Sequence, residues 1–322
     1  MHWLLQPFYP RDVTNTQKLI LSAAPERREC VEAWSQMPSE PDEEGFIRRD
    51  YVVVNANDPT AVIGYGAIWP QREGRFRMDL IVAPGWRRQG IGSALFHHLL
   101  NELQDQKATI VQARTPEDRA EALAFLVRRG FTETNRMIHL RLQVTNASTT
   151  DLTALTMHMK SQGITIVTLG QEQKQVSEYA EKIQALLCTA NPERVGNPYR
   201  VGNEAECCSA EDAKRIWESY RPLQPDAFFL AKMREGYVGL SFLGVGDAAG
   251  PVVQGDTAVH RDWRRQGVAT LLKLHTILYA QQHGFAQIAT STASPGMLAL
   301  NQRLGYEVEW AEVRMVKELT TG

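Results

Sequence analysis

Trp86-Arg87-Arg88-Gln89-Gly90-Ile91-Gly92 and, 177 residues further on, Trp263-Arg264-Arg265-Gln266-Gly267-Val268-Ala269 open with the same pentapeptide. The same offset aligns Asp79 with Asp256 and Val82 with Val259. Downstream, Arg129-Gly130-Phe131 is echoed by Leu304-Gly305-Tyr306. A repeated pentapeptide alone is weak, but matching flanks and spacing imply two copies of one fold.

Each copy reads in the same order. In the first, Tyr51–Asn55, Ala61–Trp69 and Phe76–Val82 are rich in Val, Ile and aromatic residues, as strands are. The Arg/Gly loop follows, then a helix with Ile91, Leu95, Leu99 and Leu103 on one stripe. A strand at Thr109–Ala113 comes next. Thr115 is expected to cap a second helix with Pro116 at its first position, Leu123, Leu126 and Val127 inward, and Gly130 at its end. The second copy offers strands at Ile164–Leu169, Ala227–Met233, Tyr237–Val245 and Val252–Val259, and a helix with Val268, Leu271, Leu272 and Leu278 inside. The polar run Thr145–Thr150 reads as a linker and Leu152–Gln162 as a bridging helix. The expected domains are therefore 1–144 and 163–322, joined by 145–162.

The loop pattern is Arg-x-x-Gly-x-Gly in one copy and Arg-x-x-Gly-x-Ala in the other, between a strand ending in valine and an amphipathic helix. Glycine there lets backbone N–H groups converge on a ligand, and the helix N-terminus adds a positive dipole. The assembly suits a phosphate or diphosphate. It is neither G-x-G-x-x-G nor a Walker loop. A plain strand–turn–helix connection would explain one copy; two in the same context favour a ligand.

The loop, its preceding valine and its following helix resemble motif A of the GNAT superfamily of N-acetyltransferases. The second copy is the closer match: Asp256-Thr257-Ala258-Val259, Trp263–Ala269, Lys273, Thr290, Met297, Asn301 and Leu304-Gly305-Tyr306 follow one branch of that superfamily in order and spacing. The resemblance implies an α/β (α+β) protein of two tandem GNAT-type domains, each with a mixed, mostly antiparallel sheet flanked by helices. It implies acetyl-CoA as cofactor, its diphosphate on the amides of Arg88–Ser93 and Arg265–Thr270. The pantetheine arm would pair with main chain at Ile81–Val82 and Ala258–Val259, in a slot opened by a splay after that strand. Asn301 would hydrogen-bond the cofactor.

Acetyl transfer to an amine needs a neutral amine, a donor for the oxyanion and a proton for the departing thiolate. Superfamily members often carry a tyrosine four residues before the Gly-aromatic pair as the acid. Leu126 and Asn301 stand there instead, which leaves water or Tyr306 as the acid. Asp79 and Asp256 are the paired candidates for the base; a surface carboxylate on a strand is the alternative for each. Glu204 and Glu206 would line the acceptor side or be solvated loop charges. The run Glu40, Asp42, Glu43, Glu44 reads as a solvated loop. Trp86 and Trp263 are expected to pack beneath the loops, and Lys273 either reaches a CoA phosphate or is a solvated helix lysine.

Composition narrows the alternatives. Apolar residues are 43% of 322 and charged residues 22%, ordinary globular proportions. Net charge is −2, and residues 1–145 carry 18 basic and 18 acidic side chains, so no nucleic-acid partner is expected. No run reaches a membrane span and no secretory h-region opens the chain, so a cytoplasmic protein without a membrane partner is expected. The four cysteines, including Cys207-Cys208, give no disulfide framework and no catalytic thiol. His97-His98 and His275 lack metal-pair spacing, so no metal is expected. The expected activity is transfer of acetyl from acetyl-CoA to a primary amine of a small molecule, by a monomer or homodimer, with the chemistry in the second copy. A non-catalytic acyl-CoA sensor and a protein N-acetyltransferase are the alternatives.

Overall fold

The computed structural model describes residues 2–25, 47–72, 74–190, 214, 217–218, 220–234, 236–244 and 251–319. The acidic run at 40–44, Glu204, Glu206 and Cys207-Cys208 lie outside them. In chain order the elements are β1 (Trp3–Pro7), α1 (Val13–Ala23), β2 (Arg49–Asn55), β3 (Asp58–Arg72), β4 (Arg75–Val82), α2 (Ile91–Asp105), β5 (Ile110–Pro116), α3 (Ala120–Val127) and β6 (Thr132–Gln143). Then come α4 (Leu152–Ser161), β7 (Thr165–Thr168), α5 (Leu169–Gln175), α6 (Tyr179–Ala190), β8 (Phe228–Met233), β9 (Gly236–Gly244) and β10 (Val252–Val259). The chain finishes with α7 (Val268–Gln282), β11 (Gln287–Thr292), α8 (Pro295–Arg303) and β12 (Glu307–Glu318). No described helix is long and apolar enough to cross a membrane.

The chain divides into one unit of residues 1–135 and 312–322, and another of 136–311. The first orders its strands β1-β2-β3-β4-β5-β12, the second β6-β11-β10-β9-β8-β7. In each, the pair β4–β5 or β10–β11 is parallel and the other pairs are antiparallel. Each unit is thus a mixed, mostly antiparallel sheet with helices, the fold class the repeat implies.

The final strands are exchanged. β6 ends the first repeat, yet its residues from Ile138 to Gln143 pair with β11 in the second unit. β12 ends the second repeat, yet Glu312–Glu318 pair with β5 in the first. Alternation explains how each fits: Leu140 and Leu142 enter the core of Ile288 and Leu271, while Val313 and Met315 enter that of Phe76 and Val111. The boundary expected after residue 144 accordingly falls inside the second unit. So does the stretch read as a linker, because α4 buries Met159 with Leu152 and Leu155 beside it in that core.

Two local expectations need correction. Thr115 and Pro116 belong to β5, and α3 starts at Ala120 after Arg119, because pairing of Thr115 with Val313 holds the segment extended. Val127, expected inside, is exposed, whereas Leu126 is buried. Gly130 does end that turn, at φ +79.

Because β12 fills the first unit's sheet, a fragment of residues 1–144 is expected to lack a stable fold. Adding a peptide of residues 307–319 should restore protection from proteolysis. In the full chain, Met315→Ala should cost about 2–5 kcal/mol, read by denaturant unfolding.

Candidate functional site

Both repeats build the same loop from the same bonds. After β4 the chain makes a tight turn at Pro84–Trp86, and after β10 one at Arg261–Trp263. Arg88 and Arg265 then adopt φ +63 and +61, a left-handed conformation costing a non-glycine residue about 1–2 kcal/mol. Gly90 and Gly267 follow at φ +85 and +95 as the N-caps of α2 and α7. Arg87 Nε donates to the Val82 carbonyl and Arg264 Nε to that of Val259, both at 3.3 Å. Gln89 donates to the Gly85 carbonyl at 3.4 Å and Gln266 to that of Asp262 at 2.8 Å. These side chains satisfy the loop's carbonyls and leave its amides alone. Arg264 is also anchored at 2.6 Å on the Ala190 carbonyl, at the end of α6.

The helices begin with free donors. No side chain caps either N-terminus, and the first amides bonded back to the caps are Ala94 N to Gly90 O and Leu271 N to Gly267 O, both 2.9 Å. The N–H groups of Gly90, Ile91, Gly92 and Ser93, and of Gly267, Val268, Ala269 and Thr270, therefore have no intrahelical partner. Their surroundings differ. A Cβ on Gly90 would meet nothing within 4 Å, whereas on Gly267 it would meet Leu155 and Met159 of α4 at 3.4 Å. In the first unit Arg129 donates to Ser93 Oγ at 2.7 Å and sets its guanidinium 3.4 Å from the Phe125 ring centre.

The parallel strands that lead into the loops part early. β4 pairs with β5 only over Arg75–Arg77, and β10 with β11 only at Val252–Val253. Ile81–Val82 and Ala258–Val259 consequently have no bonded strand on that side among the described residues. β10 also bulges between Gln254 and Thr257, while β4 runs in unbroken register with β3 from Phe76 to Val82. Gly255 is required at the bulge, since a Cβ there would overlap the Phe242 ring.

The two aspartates expected as equivalents stand in different environments. Asp79 is buried in a row with Ala67 and Asp50 across three strands, with Arg77 Nη2 at 3.5 Å. Next to it Arg48 grips Asp50 at 2.6 and 2.8 Å, Tyr65 donates to Asp50, and the Trp69 ring lies under Arg48 and Arg77. Burial, and then the Asp50 charge, hold the Tyr65 phenol well above its ordinary pKa. Asp256 sits exposed at the bulge and accepts from Tyr220 Oη at 3.0 Å. The surface-carboxylate description fits Asp256 and not Asp79. Trp86 and Trp263 pack beneath their loops against the hydrophobic cores, as expected.

The largest departure is Lys273. It is neither solvated nor at the loop: it is buried on α7, with Nζ 5.4 Å from the centre of the Tyr306 ring. Its ammonium has no hydrogen bond or ion pair among the described residues, and burial alone lowers its pKa to about 7. Tyr306 Oη and both polar atoms of the Asn301 side chain are likewise buried without a partner. Burial pushes the Tyr306 phenol far above its ordinary value. The repeat alignment puts Phe96, Leu126 and Phe131 at the corresponding positions, and in the first unit these three pack together as core. Setting Lys273 against Phe96 of the other copy is the signal in the sequence that would have marked it as a buried position.

Comparisons with known proteins place this geometry. Residues 14–131 match the profile of the Acetyltransferase (GNAT) family. No curated protein matches the chain in sequence. Among solved structures, a GCN5-related N-acetyltransferase from Sphaerobacter thermophilus superposes with a TM-score of 0.72 at 17% identity, over 98% of this chain and 96% of that one. A tandem GNAT protein from the clavulanic acid biosynthesis pathway gives 0.63 at 19% identity over 98% of both chains. A glucosamine N-acetyltransferase region of a fungal multi-domain β-N-acetylglucosaminidase gives 0.71 at 12% identity, over 97% of this chain and 38% of that one.

The buried amine makes a prediction about stability. Lys273 takes up its proton near pH 7 in the fold but near 10.5 when unfolded. Between those values the unfolded chain binds the extra proton, so this group makes stability rise with pH from about 7 towards 10. Lys273→Met should raise the thermal midpoint at pH 6 and flatten that rise. A midpoint that falls at pH 6 would contradict an unpaired buried charge.

Proposed function

We propose that this chain, whose first repeat matches the GNAT acetyltransferase family and whose fold is that of solved GNAT proteins, acetylates a primary amine of a small molecule in its second unit. The observation that carries this reading is the polarity contrast between the copies. Asn301 and Tyr306 keep buried polar atoms without partners among the described residues, and the buried Lys273 ammonium has only the Tyr306 ring beside it, where the first copy has Phe96, Leu126 and Phe131. Burying such groups costs free energy unless something satisfies them, and a ligand between α7 and α8 would do so.

The residues present fit acetyl-CoA. The free amides of Gly267–Thr270 and the dipole of α7 suit its diphosphate, and the unpaired edge at Ala258–Val259 suits the amides of the pantetheine arm. Bound there, the cofactor supplies an acyl group activated as a thioester. Asn301 offers both a donor and an acceptor to an amide of the arm. The bulge at Gly255–Asp256 turns a strand amide out of the ladder, where it can meet the charge that develops on the carbonyl oxygen. Asp256, exposed at that bulge, is placed to take the proton of an incoming amine. Tyr306, its phenol kept neutral, serves as a hydrogen-bond donor.

A second reading rests on the open surroundings of Gly90 and on Arg129 beside Ser93, which favour acetyl-CoA at the first loop. There the buried Asp79 would be the base, with Asp50 and Arg77 shaping an acceptor site.

Calorimetric titration of acetyl-CoA into the full chain is expected to show binding, and two substitutions divide the readings. An acidic residue in a helix's first turn favours the helix by about 0.3–1 kcal/mol but repels a diphosphate. Ala269→Asp should therefore abolish release of free CoA with an accepted amine while the fold is retained. Ser93→Asp should leave that release intact, and the reverse pattern would move the chemistry to the first unit. Asp256→Asn should lower kcat at least tenfold with little change in KM; an unaltered rate and pH profile would discard Asp256 as the base.

A further inference from the structure

Resting on the reading that the second unit transfers acetyl, we propose that Lys273 is the proton donor to the departing CoA sulphur. Three observations converge on it. The tyrosine that would fill this role is replaced by Asn301, whose amide is a poor acid. Tyr306 is beside the site, but a phenol held far above its ordinary pKa parts with its proton reluctantly. Lys273 is the buried ionisable side chain of α7, and its Nζ lies 5.4 Å from the centre of the Tyr306 ring, at the end of α8. α7 follows β10 and α8 follows β11, the two strands that part after Val253.

An amine that titrates near neutral pH is matched to a thiol in a way that a solvated lysine is not. Among the described residues no charged group shifts Lys273. Tyr306 faces it. His275 lies two positions along the same helix, half-buried, its own pKa lowered by burial. Of the elements packed on α7, α4 carries His158 and Lys160 on its exposed side. The Lys232 side chain of β8 is held by Glu172 at 2.8 Å, Tyr237 of β9 donates to the same carboxylate at 2.6 Å, and Asp256 of β10 accepts from Tyr220. No carboxylate contributes to the Lys273 pKa.

The step balances. The amine nitrogen bonds to the thioester carbonyl carbon, and the C–S bond breaks with its electron pair going to sulphur. The Lys273 ammonium gives one proton to that sulphur, forming the thiol. The proton lost by the new amide leaves through Asp256 to water, and Lys273 regains one from water. No oxidant or reductant takes part.

The test needs no knowledge of the acceptor. Free CoA, bound to the full chain, is titrated by the ultraviolet absorbance of its thiolate, with wild type, Lys273→Met and Lys273→Arg compared. In the wild type the cation should favour the thiolate, and Lys273→Met should reduce the thiolate fraction near neutral pH about tenfold or more, a shift of one pKa unit. Lys273→Arg should keep the thiolate but, since a guanidinium does not give up its proton, lose CoA release with an accepted amine. The same thiolate fraction in wild type and Lys273→Met, both binding CoA, would overturn the proposal and leave the acetyltransferase reading standing. Loss of CoA affinity in a Lys273→Met protein that remains folded would also overturn it, making the residue a cofactor anchor. Failure of the wild type to bind CoA would instead remove the underlying reading.

Discussion

Two parallel strands that share only their first hydrogen bonds decide the rest of the architecture. Once β10 leaves β11 after Val253, main-chain donors and acceptors at Ala258–Val259 face an opening instead of a neighbour. The strand then runs into a loop that must reverse direction and deliver a helix aimed at the same opening. Left-handed Arg265 and Gly267 make that reversal, and Arg264 and Gln266 hold it by occupying the loop's carbonyls. The amides are spared, so the loop offers donors in a fixed array at little further ordering cost. The first repeat reproduces every one of these bonds, which is why the pentapeptide is identical.

The copies have kept the frame and diverged in what it encloses. In the first, Phe96, Leu126 and Phe131 close the space between the helices as ordinary core, and the charged cluster lies elsewhere, with Asp50, Arg48, Arg77 and Asp79 around Trp69. In the second, the enclosed positions are polar and Asp256 is on the surface. An apolar filling stabilises and specifies the fold, whereas a polar one destabilises it until a ligand supplies the missing partners. The strain of the second unit is thus concentrated at Lys273, Asn301 and Tyr306.

Much of this was legible in the sequence, for identifiable reasons. Strands β2 to β4 and β8 to β10 were marked by β-branched and aromatic runs, and α2 by its leucine stripe. The loops were marked by repetition and glycine spacing. Other features depend on what a segment meets. Glu312–Glu318 alternates in the same way whichever sheet receives it, so the exchange of final strands leaves no local trace. Thr115-Pro116 has the chemistry of a helix start, but pairing with Val313 overrides it. Asp79 and Asp256 occupy matching positions, yet an unbroken register buries one and a bulge exposes the other. Lys273 looks like any helix lysine until the α8 side of its helix is known.

The exchange of strands also sets an order of events during synthesis. Residues 136–311 contain everything the second unit uses, so it can close as soon as that stretch has emerged. The first unit, though made earlier, needs residues 312–318 to cover β5. At about 5–20 residues per second, the ribosome takes roughly 10–35 s to travel from one to the other. Throughout that interval the β5 edge is an open template for any extended chain nearby. The usual sequence of vectorial folding is inverted here: the domain translated first is the last to be finished, and the chain's own final strand must reach that edge before a foreign one does.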